Sequence, residues 1–89
     1  MTIFESADLI EATIELHRYP NQNRWTARFQ DGEISSNGLL TSEYGNKDTM
    51  EGAIRDYIKR IAGRKIVINA TSRESRRSYV VPATLEFGP

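Results

Sequence analysis

Residues Arg24 to Gly38 read RWTARFQDGEISSNG. Trp25, Ala27 and Phe29 fall on one side at period two, and Arg24, Thr26, Arg28 and Gln30 on the other. That alternation marks a strand with one dry and one wet face. Asp31-Gly32 then supplies the strongest short hairpin signal, because both central residues of the favoured turn need positive φ. It predicts a return strand from Glu33 to about Ser42, with Phe29 opposite Ile34, Ala27 opposite Ser36 and Trp25 opposite Gly38. A tryptophan over a glycine is compatible with close packing or with a bulge near Asn37-Gly38.

On the N-terminal side, IEATIELHRY (Ile10 to Tyr19) alternates as well, and PNQN (Pro20 to Asn23) is turn chemistry. Closing that turn sets Ile14 opposite Phe29 and Leu16 opposite Ala27 on the dry side. On the wet side it sets Glu15 opposite Arg28, a favourable cross-strand charge pair. Both faces agree with this one register. Trp25 and Phe29 are then the core plugs of a three-stranded meander. Residues 6–11 form a helical turn or simply lead into the first strand.

On the C-terminal side, Tyr44-Gly45-Asn46 reads as a loop. Asp48 is an N-cap candidate, with Glu51 three residues later to complete a capping box. Met50, Ala53, Ile54, Tyr57, Ile58 and Ile61 make an apolar stripe at helical spacing, and Gly63 ends the helix. Glu51–Arg55 and Asp56–Arg60 are i,i+4 pairs in the better orientation. Gly52 weakens the helix by about 1 kcal/mol relative to Ala, which points to a close contact there. KIVINA (Lys65 to Ala70) and RRSYVVP (Arg76 to Pro82) read as two further strands, the second ended by proline. The order is β-β-β-α-β-β. The fold class is α+β: an antiparallel three-stranded meander, one helix packed on the sheet, and a C-terminal strand pair. Residues 1–89 make one domain, with 83–89 as a flexible tail.

The chain holds one His and no Cys, which removes disulfides and thiolate metal sites. His17 has no second histidine to share a metal, and no Gly-x-Ser-x-Gly or phosphate-loop context exists. The carboxylates are scattered rather than paired for acid–base work. These features predict a protein that is not an enzyme and takes no cofactor. No apolar run approaches a membrane span of about 20 residues. The acidic N-terminus is unlike a signal peptide, so a cytoplasmic protein without a membrane partner is expected.

Charge is balanced overall but not along the chain. Residues 1–44 hold three basic and seven acidic groups, and residues 45–89 hold nine basic and five acidic ones. Such segregation either vanishes on folding or marks a polar binding face. The binding candidates are Arg55, Lys59, Arg60 and Arg64 on and after the helix, and Arg24 and Arg28 on the ribbon. They could meet acidic protein, or track phosphates on DNA or RNA. An uncovered strand edge is a further route, to a homodimer.

The combination of a Trp-x-Ala-x-Phe-x-Asp-Gly hairpin at 25–32 with a Tyr-Gly-x-x-Asp-Thr helix start at 44–49 resembles small proteins carried by bacteriophages and prophages. The Asp48-Thr49-Met50-Glu51-Gly52-Ala53 run is similar to the helix start of HicB-like antitoxins, with glycine where those chains carry glutamate. The strand–strand–helix order also resembles the arm-type DNA-binding domain of phage integrases. The phage resemblance implies a binding protein that occupies a surface of a host or phage protein, on the pattern of anti-CRISPR inhibitors of bacterial defence complexes. The alternatives are a DNA- or RNA-binding protein using a basic helix face or β-ribbon, and a HicB-like antitoxin.

Overall fold

The computed structural model describes residues 1–88. Elements run α1 (Ile3–Leu9), β1 (Ile14–Tyr19), β2 (Arg24–Phe29), β3 (Gly32–Ser36), β4 (Leu39–Thr41), β5 (Gly45–Lys47), α2 (Met50–Ile61), β6 (Lys65–Ile68) and β7 (Arg77–Val80). The class is α+β, with α2 on the strands and a C-terminal strand pair. The strands divide into two antiparallel sheets, ordered β1-β2-β5 and β4-β3-β6-β7.

The first hairpin has the register read from sequence at every position, from Ile14 opposite Phe29 to Tyr19 opposite Arg24. The third strand takes different partners. β3 does not lie beside β2; it pairs with β4 and with β6, where Ile34 sits opposite Ile66. The backbone gives the reason. Asp31 has φ 57°, but Gly32 is not left-handed, so the dipeptide turns a corner between sheets rather than closing a hairpin. Asn37 and Gly38 are both left-handed, at φ 52° and 82°, and they close the β3–β4 hairpin. The expected strand from Glu33 to Ser42 is thus two short strands around that turn.

The place beside β2 is taken by β5, in a segment read from sequence as a loop: Ala27 pairs with Gly45 and Trp25 with Lys47. Packing explains the choice. A Cβ on Gly45 would overlap the Ala53 carbonyl oxygen and lie 2.9 Å from the Tyr57 Cβ. In the expected meander, Ser36 would occupy this position opposite Ala27, where a side chain has no room. Gly52 makes a second close contact, with the Lys47 Cβ 3.0 Å from where its own Cβ would stand.

α2 buries Ala53, Ile54, Tyr57, Ile58 and Ile61, while Met50 at the start of the stripe is exposed. Its N-cap is Thr49, one residue later than expected. The Thr49 hydroxyl accepts from the Gly52 amide at 3.0 Å, and Glu51 turns to Arg55 instead of completing a box. Gly63, at φ 74°, follows the last turn as expected. Phe29 is fully buried edge-on to Tyr57, with ring centroids 5.7 Å apart. Trp25 is only half-buried against the core. β5 begins only at Gly45, opposite Ala27, and supplies no partner for the Phe29 amide, which donates to the Tyr57 hydroxyl at 3.1 Å.

Both chain ends depart from expectation. Thr2 and Glu5 form a capping box that starts α1, and Ile3 and Ser6 are fully buried. Of the expected 83–89 tail, residues 83–88 are packed rather than loose, and residue 89 lies outside the described residues. Leu85 is buried, Glu86 bridges Thr2 in parallel, and Phe87 packs edge-on to Phe4 at 5.6 Å. Central β6 is apolar on both faces, with Ile66, Val67 and Ile68 all buried.

Two substitutions check this packing. Gly45→Ala should lower stability by about 3 kcal/mol or more, since the obstruction is helix backbone and cannot swing aside. Tyr57→Phe should cost about 1–3 kcal/mol by leaving the buried Phe29 amide without an acceptor. Urea unfolding followed by Trp25 fluorescence measures both.

Candidate functional site

The alternation of β1 and β2 separates two faces. Ala27 and Phe29 point toward α2 and are buried, whereas Leu16, expected on the same dry side, stays 37% exposed. Glu15, His17 and Tyr19 share the outer face with Arg24, Thr26 and Arg28, each opposite its register partner. No element covers this outer face among the described residues. The Glu15 carboxylate meets the Arg28 Nε at 3.3 Å. The rings of His17 and Tyr19 stack edge-to-face at 4.5 Å. Tyr44, from the segment before β5, completes a shallow hollow of about 310 Å³ lined by Glu15, His17, Tyr19, Thr26, Arg28 and Tyr44. Tyr19 and Tyr44 are 43% and 48% exposed.

The six basic candidates fall into two groups. Arg24 and Arg28 lie on this outer face. Arg55, Lys59 and Arg60 lie on α2, with Arg64 just beyond it. Four of the six stand beside carboxylates within the molecule. Arg28 pairs with Glu15. Arg55 reaches Glu51 at 3.4 Å and stacks over the Phe87 ring, 4.9 Å from its centroid. Arg60 pairs with Asp56 at 3.1 Å and Glu43 at 3.4 Å, and Arg64 with Glu43 at 3.5 Å. Lys59 and Arg24 have no ion pair among the described residues. The helix face is therefore a chain of alternating charges rather than a basic patch.

Asp56 joins two elements. Besides Arg60, it accepts the Asn46 backbone amide at 2.9 Å, so α2 covers the outer edge of β5. Burial pushes the Asp56 carboxyl up, but the Asn46 amide and the Arg60 guanidinium together hold it below the ordinary carboxylate value.

The aromatic members of the outer face were only partly legible. Tyr19 and His17 stand on the wet side of the first strand in the sequence pattern, and that signal could have identified them. Tyr44 joins them only because β5 pairs with β2, a contact between distant segments. His17 has the Tyr19 ring as its neighbour, and among the described residues no three His, Asp or Glu side chains converge as a metal site would need. No helix among the described residues is long and apolar enough to cross a membrane. Compared with known proteins, the chain matches no family model, no curated protein and no solved structure.

The Asp56 geometry carries a pH dependence of defined sign. Its folded pKa lies below the unfolded value of about 3.9, so its contribution is present above that pH. It is lost as pH falls through the folded pKa. Thermal melts should show Asp56→Asn less stable than wild type near neutrality. The gap should narrow as the medium is acidified below about pH 4.

Proposed function

We propose that this protein is a non-enzymatic binding domain that occupies the surface of a protein partner through the outer face of β1-β2-β5. The observation that carries the reading is the exposed cluster of Tyr19, Tyr44 and His17 beside Arg24 and Arg28 on a rigid sheet. Tyrosine and arginine are the side chains that most often anchor protein interfaces. A sheet holds them in place before binding, so little ordering entropy is lost on contact. The phage-type resemblance gives this reading its specific form, an inhibitor that blocks a working surface of a host defence complex.

One observation favours a second reading. Exposed rings on a sheet, flanked by arginines, are also a stacking platform for single-stranded nucleic acid. The helix face supports duplex binding less well, because Arg55, Arg60 and Arg64 already face carboxylates.

Affinity capture from nuclease-treated bacterial lysate, beside binding of labelled single-stranded and duplex oligonucleotides, separates the two. On the first reading one protein is retained without nucleic acid, and Tyr19→Ala and Tyr44→Ala each weaken it about tenfold or more, while Lys59→Glu has little effect. Tight, salt-sensitive oligonucleotide binding lost in the same tyrosine variants would replace that reading with the second.

A further inference from the structure

The two sheets end in four edges, and these are not alike. The outer amide of β5 is taken by Asp56. β4 is three residues long and β7 four. β1 is six residues long, and all of it except Ile14 is exposed. Natural sheets blunt such edges with charged side chains, proline, bulges or a covering element. β1 has no proline or bulge, its Glu15 is turned to Arg28, which leaves Arg18 as its charged residue without an ion pair among the described residues, and no strand among them pairs on its outer side.

The direction of its backbone groups follows from the ladder. The Gln30 amide donates to the Thr13 carbonyl at 2.8 Å. In an antiparallel pair the bonding positions alternate. Glu15, His17 and Tyr19 therefore bond to β2. The amides and carbonyls of Ile14, Leu16 and Arg18 face the open side.

We infer that the occupant of this edge is a second copy of the chain, paired antiparallel to β1 about a two-fold axis at Leu16. Keeping the outer faces of both copies on one side requires residues of like parity to oppose each other. Centring on Leu16 pairs Leu16 with Leu16 and Ile14 with Arg18, so all three sets of open backbone groups are used. It also sets Glu15 opposite His17 of the second copy, twice, in the closer cross-strand positions. Centring on Glu15 would oppose two carboxylates. Centring on His17 would oppose two imidazoles. Self-complementarity thus selects one register. Leu16, 37% exposed in the single chain, becomes the apolar centre of the contact. The two outer faces then join into one sheet of six strands.

The interface is narrow, so the dimer forms at sub-millimolar rather than nanomolar concentration. Sedimentation equilibrium should show wild type approaching twice the monomer mass as concentration rises. L16K and L16E should each stay monomeric, and their mixture should regain the dimer mass, because residue 16 faces itself. The chain has no cysteine of its own. L16C should therefore oxidise to a covalent dimer far faster than the control L39C on exposed β4, and this variant carries the test if the charged ones fail to fold by circular dichroism. A wild type that stays monomeric throughout, with L16C no faster than L39C, overturns the inference. So does a dimer that survives both L16K and L16E. Oligonucleotide and lysate binding play no part in these readouts, so the outcome is independent of what the outer face binds.

Discussion

The approach of β5 to α2 is the constraint on which the architecture depends. At Gly45 the strand lies against the helix backbone, with Ala27 on the neighbouring strand and Ala53 in the helix. Only a residue without a side chain fits there. That requirement removes β3 from the side of β2, because Ser36 would stand in the same place. Displaced, β3 turns at Asp31 and builds a second sheet with β6, the most apolar strand of the chain. One steric exclusion thus makes two sheets out of a chain that reads locally as one meander.

The same packing accounts for the charges. Acidic groups concentrate in the first half and basic ones in the second, and folding brings part of each together. Glu43 reaches Arg60 and Arg64, and Glu11 reaches Arg77. Such exposed pairs add little stability individually. Their effect is on the surface pattern: they set carboxylates beside the arginines of the helix face. Charge segregation along a sequence is therefore a poor guide to charge segregation on a surface.

What was legible in the sequence follows the range of each interaction. The β1–β2 register depends on one four-residue turn and two alternating faces, all local, and it is correct throughout. The α2 stripe and its Gly63 stop are local too. The β2–β3 pairing failed because two Xaa-Gly dipeptides compete, and their φ values are decided by what lies across the sheet. α1 is too short for periodicity, although Thr2 and Glu5 already spell its capping box. Leu85 and Phe87 carry no pattern at all; their burial depends on meeting the other end of the chain. The candidate site divides in the same way, with Tyr19 and His17 readable from alternation and Tyr44 placed only by a long-range strand pair.

The two sheets do different work. In β4-β3-β6-β7, the central strands bury Gly32 and Ile34 of β3 and Ile66, Val67 and Ile68 of β6, and the sheet serves as a wall of the core. In β1-β2-β5, the inner face is given to α2 and the β5 edge to Asp56. What remains open is one face and one edge, and they meet at β1, where Glu15 and His17 belong to the face while Leu16 belongs to the edge. A strand so placed is poorly suited to stabilising the monomer, since most of its surface stays wet. Its register with β2 is specified on both faces, and its exposed residues are two rings, Glu15 paired with Arg28, a leucine and Arg18. Burying so little of a well-ordered strand makes physical sense if the rest of its contacts come from outside the chain.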